Sequence, residues 1–371
     1  MKAIFYHPAE LCPRPSGSGI RPHKMILELQ KACENVYVVA GNSKERKLKV
    51  REIKKNINLG LKVDFIYFEN KSSPVTLSII RLVGIAFPFP CFFDLFFLLF
   101  CARRGIKIGY YFRDIHWDFG YIYEGVVGWF GVILLKMFGR LELMFLKKFI
   151  KHIFVPTGAF AEYLQNKYKI FSRPLPPGSD LELCPAKNYS NNNLRIGYVG
   201  GSGALYDPRT LFSAMSLLPK SITLSYCTRK TEWELVKSKY QLPQNVRIVH
   251  FSGNELIDFY RNCDVTIYPL PPAREYSRMA FSFKIPEYLC AGKPVIVFDG
   301  TAVSDFIINN NLGWSVGDNA VDLANLMLFL ANGHDEILRK IDNVIKFRPQ
   351  LSWTNTVRTL FEYLQLEACQ A

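Results

Sequence analysis

Short apolar segments of β type recur along this chain, and a helical pattern follows nearly every one of them. They fall at about residues 2–6, 36–40, 62–68, 107–112 and 152–155, then again at 194–199, 222–227, 246–251, 265–268, 295–298 and 313–316. Such alternation selects a parallel sheet with helices on both faces. It stops once, at Arg173-Pro174-Leu175-Pro176-Pro177-Gly178-Ser179-Asp180, which has no periodicity and leads into a polar run from Lys187 to Asn193. The expected organisation is an α/β domain over 1–173, a linker over 174–193 and a second α/β domain over 194–350. A C-terminal helix over 351–371 is free to cross back to the first domain. The 371 residues suit two domains, and no short-period repeat points to a solenoid or propeller.

Charge divides the two halves sharply. Residues 1–176 hold 27 Lys and Arg against 13 Asp and Glu, whereas the remainder holds 19 of each, so the whole formal charge of +14 lies in the first half. A one-sided basic field implies an anionic partner: a membrane surface, a nucleic acid or a phosphorylated substrate. The nine cysteines are scattered without a CxxC spacing, which argues against a disulfide framework or a zinc site and for a reducing compartment. Met1-Lys2 runs directly into an apolar strand, and no signal peptide is expected.

Within the first half, Gly17-Ser18-Gly19 precedes a helical pattern over 23–33. The full GxGxxG spacing is absent, so it reads either as a loop that a ligand can approach closely or as a plain loop. Residues 84–101 carry one charge, Asp94, over a length that raises the question of a membrane span. Pro88, Pro90 and the central carboxylate oppose it, and two helices broken at Phe87-Pro88-Phe89-Pro90 are expected. Beyond the strand at 107–112 lies Arg113-Asp114-Ile115-His116-Trp117-Asp118. Ligands of open α/β sheets gather past the carboxyl ends of strands, so Asp114 and His116 are the catalytic candidates of this half; an ordinary polar loop is the other reading. A long apolar helix over 126–151 aligns Lys136, Arg140, Lys147 and Lys151 on one stripe, with Trp129, Phe130, Phe138, Phe145 and Phe149 around it. That describes an interfacial helix on anionic lipid, or a core helix with a solvated edge. The basic residues accompany apolar surface rather than a nucleic-acid-binding module, and no nucleic acid is expected as partner.

The second half converges on residues 281–296, Phe281-Ser282-Phe283-Lys284-Ile285-Pro286-Glu287-Tyr288-Leu289-Cys290-Ala291-Gly292-Lys293-Pro294-Val295-Ile296. Lys284 and Glu287 are one helical turn apart and share a face. An ammonium with a carboxylate beside it suits a ligand anionic at one end and hydroxylated at the other, and it also suits a surface ion pair.

The ordered series from Asn245 to Gly253, through Cys263-Asp264-Val265-Thr266-Ile267-Tyr268-Pro269, to Ser282–Val295 resembles the C-terminal domain of bacterial group 1 (family 4-like) glycosyltransferases. The resemblance covers about 194–316; the first half is similar in layout only. It implies a GT-B fold, with two Rossmann-like βαβ domains facing across a cleft. The donor would be a nucleoside diphosphate sugar held by the second domain, the acceptor would bind the first, and no metal or other cofactor would be needed. By position, Glu287 matches the carboxylate that holds the donor ribose. Lys284, in a Ser282-x-Lys-x-x-Glu pattern, matches a basic residue near the diphosphate. Gly200 and Gly201 match the glycine turn beneath it, and Arg229 is a further phosphate contact. One position departs: where many members carry a second glutamate eight residues before the ribose carboxylate, this chain has Met279, and Glu275 is out of register.

The activity so implied is transfer of a sugar to a lipid-linked glycan in cell-surface polysaccharide assembly, with retention. Its place would be the cytoplasm, peripheral on the inner face of the cell membrane. Asp114 and His116 would act on the acceptor, Gly17, Ser18 and Gly19 would line its side, and Lys136, Arg140, Lys147 and Lys151 would face the membrane. The rival readings are a non-catalytic membrane scaffold of the same fold, which Met279 favours, and a sugar-nucleotide epimerase or phosphorylase.

Overall fold

The structure, a computed structural model, describes residues 1–11, 17–82, 85–119, 124–180, 182–184, 193–203, 206–272 and 275–366. Met1–Pro177 with Trp353–Ala371 form one compact unit, and Gly178–Ser352 form a second. In the first, the order is β1 (Lys2–His7), α1 (Gly17–Ala32), β2 (Asn35–Ala40), α2 (Ser43–Asn58), β3 (Phe65–Glu69), β4 (Leu77–Leu82), β5 (Ile85–Pro90), α3 (Phe93–Arg103), β6 (Lys107–Tyr111), α4 (Glu124–Phe149), β7 (His152–Val155), α5 (Gly158–Tyr168) and β8 (Arg173–Pro174). The second runs β9 (Leu194–Val199), α6 (Arg209–Ser216), β10 (Ile222–Cys227), α7 (Lys230–Val236), β11 (Val246–Val249), α8 (Glu255–Arg261), β12 (Val265–Tyr268), α9 (Lys284–Cys290), β13 (Val295–Phe298), α10 (Ala302–Asn309), β14 (Gly313–Val316), α11 (Ala320–Asn332) and α12 (His334–Phe347). The last helix, α13 (Trp353–Leu364), returns to the first unit.

Each unit is built on a six-stranded parallel sheet, ordered β2-β1-β3-β6-β7-β8 in the first and β11-β10-β9-β12-β13-β14 in the second. Their inner strands are continuous apolar runs because both faces are covered; every residue of β3, β12 and β13 is buried. The strand order reverses between β1 and β3 in one sheet and between β9 and β12 in the other. At such switch points the connections leave in opposite directions and open a crevice beyond the carboxyl ends of the strands. The candidate site of the second unit lies there, and that of the first follows β6, the strand next to β3. Helix starts are fixed locally: Asn42 with Glu45 and Thr301 with Ser304 form capping boxes, and Thr157 and Asn319 cap α5 and α11.

Helix α13 packs over the first sheet. Phe361 meets Phe65 edge-on at 5.5 Å, and a methyl group on Gly109 of β6 would lie 3.3 Å from Leu360. The segment expected as a free linker is partly structural: Cys184 is buried and its N–H donates to the Ala291 carbonyl at 3.0 Å, so 178–184 belongs to the second unit.

The apolar stretch departs from expectation. Leu77–Leu82 and Ile85–Pro90 pair as antiparallel strands, β4 and β5, and only Phe93–Arg103 is helical, in place of two helices. Asp94 is fully buried and faces Arg46 of α2, with Nη2 to Oδ2 at 2.9 Å and Nε to Oδ1 at 3.1 Å, while the Tyr6 hydroxyl donates to the same carboxylate. A two-point guanidinium pairing of this kind is what lets a carboxylate sit in an apolar interior. No described helix is long and apolar enough to cross a membrane.

Candidate functional site

In the second unit β9 ends at Val199 and the chain turns through Gly200 and Gly201. Tyr288 of α9 fixes that edge: its hydroxyl accepts from Val199 N at 2.8 Å and donates to Val199 O at 3.0 Å. The clasp brings the start of α9 over the glycine turn. A methyl group on Gly200 would stand 1.9 Å from the Lys284 ammonium, so only glycine admits the lysine there. Lys284 Nζ lies 3.9 Å from the centre of the Tyr206 ring, 5.0 Å from that of Tyr198 and 5.7 Å from that of Tyr268, and it donates to the Tyr198 hydroxyl at 3.3 Å. Among the described residues no carboxylate comes within ion-pair distance of it. Aromatic faces stabilise a cation but less than water does. Burial therefore lowers the Lys284 ammonium to about 7, against the upward pull of Glu287 and Glu232, with Arg229 adding to the fall.

Glu287 is half-buried one turn along. Burial pushes its carboxyl up, opposed by a hydrogen bond from the Tyr260 hydroxyl to Oε1 at 2.8 Å and by Lys284. With Oε1 held, the other oxygen is the natural acceptor for a ligand hydroxyl. Ser282 Oγ accepts from Lys284 N at 3.3 Å at the helix start. Arg229 immediately precedes α7 and pairs with Glu232, whose Oε2 also accepts from Ser202 N at 3.2 Å. The structure thus brings Gly200, Gly201, Ser202, Arg229, Glu232, Ser282, Lys284 and Glu287 to the β9 side of the switch point. The cage tyrosines, Tyr260 and Tyr288 were missed in the sequence because a buried aromatic on a strand or helix reads as core, and Tyr206 lies in a loop. Met279 is buried at 4% exposure, and Glu275 is exposed.

In the first unit Asp114 lies beyond β6 and is 5% exposed. Its Oδ2 accepts from Ser72 Oγ at 2.7 Å and Arg113 Nε at 3.3 Å, and His116 Nε2 stands 3.9 Å away. Burial raises its carboxyl, but His116, Arg113 and the two hydrogen bonds outweigh that and hold it below the usual carboxylate range. The other oxygen, Oδ1, carries no hydrogen bond among the described residues. An ionised carboxylate with one oxygen anchored and one open can orient a hydroxyl and share its proton. Beside it at the switch point lie two groups the sequence did not single out. His7, at the end of β1, sets Nδ1 3.0 Å from the Glu69 carbonyl, and burial lowers its imidazole to about 4. The Glu69 side chain is fully buried against Arg21 at 3.4 Å and Tyr67 at 3.2 Å.

Gly17 and Gly19 lie inside α1 rather than in a loop before it, and the surroundings of Gly17 and Ser18 fall outside the described residues. On α4, Phe138 is buried and Phe145 half-buried, so they do not belong to the outer face. That face carries Trp129, Phe130, Ile133, Met137, Leu141 and Met144 interleaved with Lys136, Arg140, Lys147 and Lys148. At about 100° per residue these ten positions span roughly 140° of arc. Lys151 is exposed but lies past the end of the helix at Phe149.

Across 98% of the chain the architecture matches solved glycosyltransferases at low identity. Anabaena HepE in complex with UDP and glucose gives a TM-score of 0.62 at 14% identity over 99% of that chain. Sucrose-phosphate synthase from Thermosynechococcus elongatus gives 0.64 at 16% over 98%, and WaaG, a glycosyltransferase involved in lipopolysaccharide biosynthesis, gives 0.58 at 12% over 99%. The fold is therefore GT-B, with two α/β units each on a parallel sheet. Residues 194–332, within the second unit, match the group 1 glycosyl transferase family. Glucosyltransferase 3 of Streptococcus parasanguinis is 34% identical over 113 residues, which are 30% of this chain and 33% of that protein; the match spans about a third of the relative's length.

Proposed function

We propose that the protein transfers a sugar from a nucleoside diphosphate sugar to a hydroxyl of a lipid-linked glycan, at the inner face of a membrane and in assembly of a cell-surface polysaccharide. The observation that carries this reading is Lys284 seated over Gly200 with Glu287 one turn further, at the switch point of the second sheet. Glu287 would hold the ribose hydroxyls. Lys284, with Arg229 behind it, would meet the diphosphate against Gly200 and Gly201. Complexes of HepE with UDP and with UDP-glucose support a nucleotide sugar as the donor class.

In the reaction the bond from the anomeric carbon to the diphosphate oxygen breaks and a bond to the acceptor oxygen forms. Negative charge grows on the leaving diphosphate, where the Lys284 ammonium stabilises it, so the protein itself supplies the cation and no metal is required. The acceptor proton passes to Asp114 or His116. Retention of configuration is the outcome the resemblance implies. Met279 offers no carboxylate to the sugar, so any stabilisation of the sugar's positive charge must come from elsewhere, the diphosphate included.

The outer face of α4 supports the membrane. Its apolar side chains would enter the headgroup boundary while its basic ones meet anionic lipid, and the excess charge of the first half has the matching sign. Met279 favours one rival, a non-catalytic scaffold of the same fold. Release of nucleoside diphosphate from a panel of nucleotide sugars, with Lys284→Ala and Glu287→Ala, separates them. The proposal predicts loss of turnover in both variants; undiminished turnover in both would refute the site, and none in the wild type across the panel would favour the scaffold.

A further inference from the structure

We propose that Glu142 of α4 is a positioning residue for Asp114, acting through the segment 70–76; this rests on the reading of Asp114 as the acceptor-side group. Glu142 is fully buried, on the side of α4 opposite the apolar and basic face. Its Oε2 accepts from Val75 N at 2.7 Å and its Oε1 from the Tyr110 hydroxyl at 2.5 Å. Among the described residues it has no ion-pair partner. An apolar side chain of similar size would cost less at such a position, so the carboxylate calls for an explanation other than stability.

The segment it grips leads to Asp114 in a few bonds. At its far end Asn70 N donates to Tyr111 O at 3.0 Å, and Asn70 Oδ1 accepts from Arg113 N at 2.8 Å. Ser72 Oγ donates to Asp114 Oδ2 at 2.7 Å and accepts from Arg113 Nη2 at 2.5 Å. At the near end, next to Val75, Thr76 Oγ1 donates to the Phe138 carbonyl of α4 at 2.9 Å. The segment is therefore fastened to α4 at 75–76 and to the Asp114 loop at 70–72. The other side of that loop sits on the same helix: a methyl group on Gly139, one turn before Glu142, would fall 2.5 Å from the Trp117 ring. Helix α4 thus bears on Asp114 from both directions, and Glu142 is the carboxylate it places in that path.

The groups facing Glu142 are Tyr110 of β6, Lys71 of the segment itself and Asp94 of α3, and burial brings its carboxyl up to about 7. Glutamine keeps the shape but only one acceptor oxygen; leucine removes both bonds. The experiment measures release of UDP from UDP-glucose, or from whichever donor of the panel turns over, by Glu142→Gln, Glu142→Leu, Asp114→Asn and the double variant Asp114→Asn/Glu142→Gln. Far-ultraviolet dichroism reports folding of each. The expected result is a kcat about 10- to 100-fold lower in Glu142→Gln with the donor KM unchanged, and no further loss when Asp114 is already Asn. An equal loss in the Asp114→Asn background, or wild-type kcat in Glu142→Gln, overturns the positioning role and leaves Asp114 standing. Full activity of Asp114→Asn overturns the reading of Asp114 itself, and the route proposed for Glu142 with it.

Discussion

Binding of a nucleotide sugar is predicted to draw a proton onto Lys284. In the free protein the ammonium lies among Tyr198, Tyr206 and Tyr268, without an ion-pair partner among the described residues, and its pKa of about 7 leaves it half-charged near neutral pH. The diphosphate of a nucleotide sugar stays fully ionised and does not titrate in this range, so it binds the charged form. The apparent Kd then scales as the inverse of the charged fraction. Between about pH 7 and about pH 8.5 that fraction falls roughly 16-fold, equivalent to about 1.6 kcal/mol of binding free energy. The sign is fixed by burial: the free-state pKa is depressed, the bound-state pKa is restored upward, and affinity is lost as pH rises through about 7. Calorimetry in buffers of differing ionisation enthalpy reads the uptake directly, as about half a proton at pH 7 and close to one at pH 8.5. Lys284→Arg, whose guanidinium does not deprotonate, should flatten the profile. A buffer-independent enthalpy at the higher pH, with a Kd that does not move, would refute the reasoning.

Three further outcomes follow from the geometry. Asp94→Ala strands the buried Arg46 guanidinium and should destabilise the protein by about 3–5 kcal/mol in urea titration, whereas Asp258→Ala, which removes an exposed pair with Arg261, should change stability by less than about 1 kcal/mol. Gly200→Ala must displace both the Lys284 ammonium and the Tyr198 hydroxyl, and donor affinity measured by calorimetry should fall about 10-fold or more, the scale of one lost charge-assisted contact. Sedimentation with phosphatidylglycerol-containing vesicles should weaken with salt and with joint neutralisation of Lys136, Arg140 and Lys147; indifference to both would remove α4 as the membrane face.

Both sheets were legible in the chain because their strands are buried on two faces and so appear as unbroken apolar runs. The β4–β5 hairpin was hidden for a different reason: with prolines at 88 and 90 and few polar residues, the stretch has no period to separate strand from helix. Asp94 read as a problem for a span because its partner, Arg46, stands 48 positions earlier and meets it only in the folded unit. At the candidate donor site, Lys284, Glu287 and the glycine turn could be found from local spacing and the resemblance. Their tyrosine surroundings come from β9, the loop after it and β12, and no spacing relates those. Glu142 was not singled out in the sequence; its burial shows only once α4 is packed in the folded unit.

The central claim is that the second unit holds a nucleotide sugar through Lys284 and Glu287. Calorimetric titration of the whole chain with UDP-glucose, GDP-mannose and the two free diphosphates tests it most directly. The account predicts saturable binding of at least one nucleotide, weakened in Lys284→Ala and in Glu287→Ala. Absence of binding by all four, or binding that both variants retain in full, would contradict it.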